Sequence, residues 1–340
     1  MTNPVRVGVI GLGFMGGVHL RALRAAEAAG APVRTVAVWD RHPERRAGGG
    51  GVSGNITSTE GEPLYDPTKV RVSTTLETFL DDPDLDLVSI CTPTDTHIPL
   101  MEAVIDAGKH VIIEKPVALD ANEIERVSAR AKEARVIVCP AMCMRFWPAW
   151  PWLKEAITDE RYGALQSLHL LRVGGAPQWS SDFYLDPTRS GDAIVDLHIH
   201  DVDFVHWLFG PPRAVRSTGS TRHLQTTYDV GGPWVVAEGG WFAPGGPFRM
   251  RYRAAFERAV AEFDIGGDPS LTVFHADGEE HPELPEGDGY DGELRHIVEA
   301  IAAGKTPDLS LGEAAAVMRT IDAERESLAS GGAVSVTPNS

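Results

Sequence analysis

Three side chains in this 340-residue sequence have the types and surroundings for proton and charge chemistry: Lys115, Asp196 and His200. Lys115 directly follows the apolar run HVIIE at 110–114 and precedes Pro116. Partial burial lowers a lysine pKa, and the ammonium can stabilise a developing alkoxide. The same position is equally compatible with a surface lysine in a turn. The segment SGDAIVDLHIHDVDFVHWLFG at 190–210 is predicted to be a helix, with Ser190 or Asp192 as N-cap and Gly210 beyond its end. At about 100° per residue, Asp196 and His200 share one face and Asp203 joins them one turn on. Histidine titrates near neutrality and a carboxylate can orient it, so the pair fits a general base with an orienting or substrate-binding acid. A capped core histidine fits the same pattern. His198 lies about 200° from His200, which argues against a metal pair on a helix. Cys139 and Cys143 have no second ligand pair at a recognisable spacing, so no metal is expected.

A second constellation lies at the start of the chain. The apolar run VRVGVI at 5–10 reads as a buried strand, GLGFMG follows at 11–16, and VHLRALRAAEAAG has helical composition. VRTVAVWD at 33–40 is a second strand ending in an acid, 40 − 16 = 24 residues beyond the last glycine. Gly11, Gly13 and Gly16 fit G-x-G-x-x-G: a tight turn, a close approach for a pyrophosphate, and close helix–strand packing. The N–H groups of the helix start, at Phe14 and Met15, would face the phosphates. Asp40 stands where a carboxylate accepts from an adenosine ribose and repels a 2′-phosphate, which favours NAD over NADP. Arg41 pulls the other way, because it could pair with a phosphate. A solvated turn residue is the alternative for Asp40.

These residues need a scaffold, and the remaining pattern supplies one. Short helices at 76–80, 97–109 and 118–134 alternate with apolar strands at 85–93, 110–114 and 135–141. Alternation of this kind implies a parallel, doubly wound sheet, with ligands at the carboxyl ends of its strands. CTPTDTH at 91–97 and EKP at 114–116 fall at such ends. Residues 43–69, with GGGG at 48–51, read as a long loop. After about residue 140 the pattern changes. The aromatic cluster RFWPAWPW at 145–152 reads as domain-interface core or a cleft wall. Strand-like runs at 165–173, 235–243, 248–256, 259–267 and 271–276 imply an antiparallel sheet, so an α/β domain at 1–139 is followed by an α+β domain at 140–335.

Composition narrows the partners. Lys plus Arg total 31 against 48 Asp plus Glu, a net charge of −17, which argues against nucleic acid and against anionic membranes. Three cysteines are no disulfide framework, and no apolar run is long enough to span a bilayer. The first strand begins almost at the first methionine, leaving no room for a signal peptide, so a cytoplasmic protein is expected.

Taken together, GLGFMG, Asp40, CTPTDTH, EKP, Arg145-Phe146 and DLHIHDVD at 196–203 resemble the Gfo/Idh/MocA oxidoreductase family over nearly the whole chain. The resemblance implies an N-terminal Rossmann domain, a C-terminal domain built on a large, mostly antiparallel sheet, and a homodimer or homotetramer formed through the open sheet face. It implies that Lys115 contacts the substrate hydroxyl and the nicotinamide region, and that Asp196 and His200 are the substrate-binding acid and the acid/base. It also implies that Asp40 binds the ribose and that Thr92, Pro93, His97 and Glu114 line the cofactor site. The expected reaction is NAD(P)-dependent hydride transfer from a secondary alcohol of a sugar, polyol or inositol. Arg145, Trp179, Tyr184 and Arg189 are candidates for substrate recognition. The sequence departs from the family pattern at Ser190-Gly191-Asp192, where many members carry consecutive glycines. A dinucleotide-binding regulator, a dihydrodiol dehydrogenase, a biliverdin reductase-like enzyme and an NAD-dependent glycosidase are the alternatives on the same scaffold.

Overall fold

A computed structural model describes residues 3–48, 63–177, 180–243 and 245–336. The chain divides into two compact units, Met1–Cys143 with Asp288–Ala315, and Met144–Gly287 with Ala316–Ser340. The centre of the expected loop at 43–69, and Trp179, lie outside the described residues.

The first unit holds a six-stranded sheet of β1 (Val5–Ile10), β2 (Val33–Trp39), β3 (Arg71–Val72), β4 (Leu87–Ile90), β5 (His110–Ile113) and β6 (Val138–Pro140), in the order β3-β2-β1-β4-β5-β6. Every pairing is parallel. Helices α1 (Phe14–Ala28), α2 (Leu76–Leu80), α3 (His97–Asp106) and α4 (Ala121–Ala134) connect the strands. All four residues of β4 are buried, as a sheet covered on both faces requires. The order reverses on either side of β1, which puts GLGFMG and CTPTDTH at the carboxyl ends of the neighbouring strands β1 and β4.

The second unit contains α5 (Ala149–Thr158), β7 (Leu165–Gly175), α6 (Ser181–Tyr184), α7 (Pro187–Ser190), α8 (Ala193–Asp196) and α9 (Ile199–Phe209). The strands β8 (Ala214–Ser220), β9 (His223–Asp229), β10 (Trp234–Phe242), β11 (Arg249–Phe256), β12 (Ala259–Asp264), β13 (Leu271–His275), β14 (Gly278–Glu280) and β15 (Val334–Ser335) complete its sheet. The nine strands run β14-β13-β12-β11-β7-β10-β9-β8-β15, antiparallel except for β7 with β10. β9 and β11 alternate buried and exposed residues, the mark of a sheet with one covered face. Trp150 sits in this unit's own core rather than forming a cleft wall. It is fully buried, with ring centroids of Phe204, Tyr252 and Phe263 at 6.1, 5.5 and 4.9 Å.

Two expectations change. The helix expected over 190–210 is broken into α7, α8 and α9, with Leu197 and His198 between the last two. Asp192 takes φ 65° and ψ −175°, a backbone region that glycine favours, and its side chain makes no N-cap bond. The same-face argument for Asp196 and His200 assumed an unbroken helix and does not carry over. The second correction is the domain boundary. After β14 the chain returns to the first unit as α10 (Gly289–Ala302), then continues as α11 (Leu311–Ser330). α10 packs on α1, burying Leu294, Ile297 and Val298, and Arg21 of α1 bonds Asp288 and Asp291 at 2.7 and 3.1 Å. A pattern read along the chain carries no signal for such a return.

Truncating Trp150 to Ala removes a side chain with three ring partners. It should cost about 3–5 kcal/mol, read as a lower urea midpoint with an unchanged slope.

Candidate active site

Two of the three glycines of the turn leave no room for a side chain. Gly11 has φ +88°, and a Cβ there would lie 2.6 Å from the Cys91 carbonyl oxygen. A Cβ on Gly16 would lie 1.9 Å from the Gly11 carbonyl oxygen, so β1 and α1 close on each other only through glycine. At Gly13 a Cβ would meet only Arg45 Nη1, at 3.7 Å, an ordinary contact with the far end of a flexible side chain. Gly13 is also the N-cap of α1 and makes no side-chain cap, and a helix start of this kind favours an anion.

Asp40, at the end of β2, is 3% exposed. Its carboxylate accepts from Leu12 N–H at 2.7 Å and His42 N–H at 2.8 Å. That ties the acid to the glycine turn. Arg45 Nη1 lies 3.8 Å from its Oδ2, whereas Arg41 is exposed and bonds His42. The cation beside Asp40 is therefore Arg45, which pattern reading missed because only the adjacent position was considered. The glycine turn, the helix start and the anchored Asp40 fit a dinucleotide.

The loops after β4 and β5 are tied by His97. Its Nδ1 lies 2.9 Å from the Pro116 carbonyl and its Nε2 2.8 Å from the Thr92 carbonyl. Burial pushes the His97 pKa down, against the two carbonyls, which favour the charged ring. Pro93 follows Thr92, and Thr96 donates to the Thr92 hydroxyl at 2.8 Å. Glu114 is buried beside this loop. Its Oε2 accepts from Lys115 N–H at 3.0 Å and its Oε1 contacts His19 Nε2 at 2.9 Å. His19 is fully buried on α1, with Nδ1 2.7 Å from Ser89 Oγ. Composition alone assigned His19 to a helix; its place on the buried face among Val18, Ala22 and Leu23 was the signal for a structural role. Burial alone would lower the His19 pKa, but Cys91 and Glu114 outweigh it and raise the pKa well above the ordinary value. Burial alone would raise Glu114, and His19 outweighs it, so the Glu114 pKa falls. Lys115 itself is half-buried at the end of β5.

In the second unit, Asp196 closes α8 and His200 is the second residue of α9; both are half-buried. Asp203, on α9 as well, is buried. It holds Arg145 through two bonds of 2.9 and 2.7 Å, with both side chains at 4% exposure or less. Arg145 is thus half of a buried ion pair. Tyr184 packs at 6.1 Å from Trp241, and Arg189 lies 5.4 Å over the Phe183 ring. Asp192 accepts from Thr221 Oγ1 at 2.8 Å, which holds its unusual backbone. Arg172 with Asp201, at 3.0 Å, is a further buried polar pair that sequence reading passed over, and His198, read only as pointing away from His200, meets Tyr228 and Glu324. Burial pushes the Cys139 thiol up to about 12, an inert state. Among the described residues, no group of three or more His, Cys, Asp or Glu is placed to hold a metal, and no helix is long and apolar enough to cross a membrane.

Comparison with known proteins matches residues 5–142 to the model described as "Oxidoreductase family, NAD-binding Rossmann fold" and residues 150–243 to "GFO/IDH/MocA C-terminal domain". An inositol 2-dehydrogenase from Rhizobium meliloti is 31% identical over 229 residues, 67% of this chain and 62% of that protein. A UDP-N-acetylglucosamine 3-dehydrogenase from Acidithiobacillus ferrooxidans is 27% identical over 316 residues, 88% of this chain and 89% of that protein. A levoglucosan dehydrogenase solved with NADH and levoglucosan superposes with a TM-score of 0.82 at 23% identity, covering 99% of this chain and 100% of that one. The chain spans less than two thirds of the length of two curated relatives that it matches.

The His19–Glu114 pair sets a pH window. The raised His19 pKa gives stability that is complete below its ordinary 6.5 and lost as pH rises through the folded value. The lowered Glu114 pKa gives stability that is present above its ordinary 4.5 and lost as pH falls through the folded value. The gap in melting temperature between wild type and His19→Gln should therefore be widest between pH 4.5 and 6.5 and narrow steadily towards alkaline pH.

Proposed function

Since the chain belongs to the Gfo/Idh/MocA oxidoreductase family, we propose that it oxidises a secondary alcohol of a sugar, polyol or inositol with NAD. The observation that carries this reading is the glycine cradle joined to Asp40. A buried carboxylate, held by the Leu12 and His42 N–H groups, keeps acceptor capacity for a ribose and repels a 2′-phosphate. Arg45 offsets part of that repulsion, so NADP is the weaker rather than the excluded cofactor.

Bound NAD supplies the hydride acceptor. The chain's own groups handle the proton and the charge. His200 takes the hydroxyl proton of the substrate on its imidazole. Lys115 places its ammonium against the oxygen as negative charge develops there. Its backbone is held by Glu114, so the side chain starts from a fixed point at the end of β5. Asp196 orients His200 or a neighbouring substrate hydroxyl. Tyr184 and Arg189, with Trp179, offer the aromatic faces and hydrogen-bond donors that a sugar ring uses. Arg145, paired with Asp203, remains a candidate for substrate recognition. The named substrates of the relatives, which are inositols, a nucleotide sugar and levoglucosan, support a polyhydroxylated substrate.

The test is NADH formation from NAD or NADP with a panel of inositols, aldoses, anhydrosugars and sugar alcohols. One polyol should support turnover, with NAD preferred. Lys115→Ala and His200→Ala should each lower kcat by about 10²–10⁴-fold while NADH affinity stays near wild type. Full turnover in both variants would refute the assigned roles. NADH binding without turnover on any member of the panel would point instead to a regulator or to an enzyme that recycles its cofactor.

A further inference from the structure

His198 is fully buried at the junction between α8 and α9, two residues before His200. It is the N-cap residue of α9, yet its side chain does not cap the helix. The ring instead points into the sheet. Its Nε2 lies 3.0 Å from the Tyr228 hydroxyl on β9 and 3.4 Å from Glu324 Oε1 on α11. The Tyr228 O–H donates to that same Glu324 oxygen at 2.7 Å. A phenol has one proton, and here the carboxylate takes it. The Tyr228 oxygen must therefore accept from His198, so Nε2 carries a hydrogen. On the other side the ring presses against β10: a Cβ on Gly239 would lie 2.5 Å from His198 Nδ1.

We propose that His198, Tyr228 and Glu324 form a buried anchor that fixes the start of α9, making His198 a positioning residue for His200. This rests on the reading of His200 as the acid/base. Three elements far apart in sequence meet on one imidazole. A leucine would fill the space but bond nothing. The arrangement is expensive in stability. Tyr228 and Glu324 are almost completely buried, and Glu324 Oε2 and His198 Nδ1 have no hydrogen-bond partner among the described residues. An apolar trio of similar volume would fold at least as well. What the polar trio adds is direction: the ring can sit in only one place.

The charges around the ring come from every packed side. Glu324 faces it from α11 and Tyr228 from β9. Asp201, on α9 itself, and Arg172, on β7, pair with each other at 3.0 Å. These groups balance in formal charge when His198 is protonated, and burial, which opposes protonation, is outweighed by Glu324 and Asp201.

Two variants separate positioning from packing. His198→Leu fills the site without bonds, and Tyr228→Phe removes only the shared hydroxyl. Both should still fold, with a lowered melting temperature because each leaves Glu324 buried with one partner fewer, and rates are compared well below either transition. Both should lower kcat by about 10²-fold, the effect of a displacement near 1 Å, with KM for NAD unchanged. Glu324→Gln, which keeps an acceptor for Tyr228, should restore most of the rate relative to a Glu324→Leu variant. A second readout is independent of turnover. In long-range 1H–15N spectra of the intact protein, the His200 ring signals should shift in His198→Leu and Tyr228→Phe. Unchanged His200 signals would overturn the proposal even if no substrate is found. Shifted signals in a protein that turns nothing over would instead count against the acid/base reading and leave the anchor standing. Wild-type kcat in His198→Leu would overturn the anchor while the family reaction stands.

Discussion

A carboxylate withdrawn from water has to be met by donors, and Glu114 is met from two directions. His19 reaches it from the middle of α1, and the Lys115 N–H reaches it from the next residue of its own chain. The consequence is mechanical. The end of β5, where Lys115 starts, cannot move relative to α1, and α1 cannot move relative to the glycine turn because Gly16 sits directly on Gly11. Cofactor cradle and lysine thus share one rigid frame. His97 extends that frame to the loop after β4 by holding the Thr92 and Pro116 carbonyls together.

The second unit solves a similar problem for α9. Asp201 and Asp203 are two residues apart, about 200° around the helix. Each is paired with a different arginine, Arg172 on β7 and Arg145 ahead of α5. The helix is therefore clamped from opposite sides, and His200 lies between the clamps. Removing one arginine would leave a buried carboxylate without its cation, a loss of about 3–5 kcal/mol. Polar residues in DLHIHDVD that read as a cluster of reactive groups are thus mostly framework. Only Asp196 and His200 retain partial exposure in it, apart from the half-buried Leu197.

Most of the first unit was legible in the sequence. The parallel sheet, the glycine turn and the acid after β2 follow from apolar runs of strand length, punctuating glycines and spacing, and these signals are local. The strands β7 and β10 to β13 were legible for the same reason. The helix break was not. A reading at 100° per residue treats Ser190 to Phe209 as continuous, and nothing local announces that His198 prefers Tyr228 to its own helix. The pairing of Arg145 with Asp203 is invisible for a like reason: its members are 58 residues apart. β8 and β9, with their polar, alternating sequences, carried too little apolar signal to be separated from loops.

The return of α10 to the first unit also bears on how the chain is made. Synthesis proceeds from the amino end, and domains generally fold as units as they emerge. Here the parallel sheet is complete by Pro140, but the surface of α1 that α10 covers stays bare until residues 288–315 arrive. The whole second sheet except its last strand is synthesised in between. For that interval the nascent protein carries an unfinished nucleotide-binding layer, with Arg21 still waiting for Asp288 and Asp291. The amino-terminal unit is thus first in sequence but among the last parts to be closed.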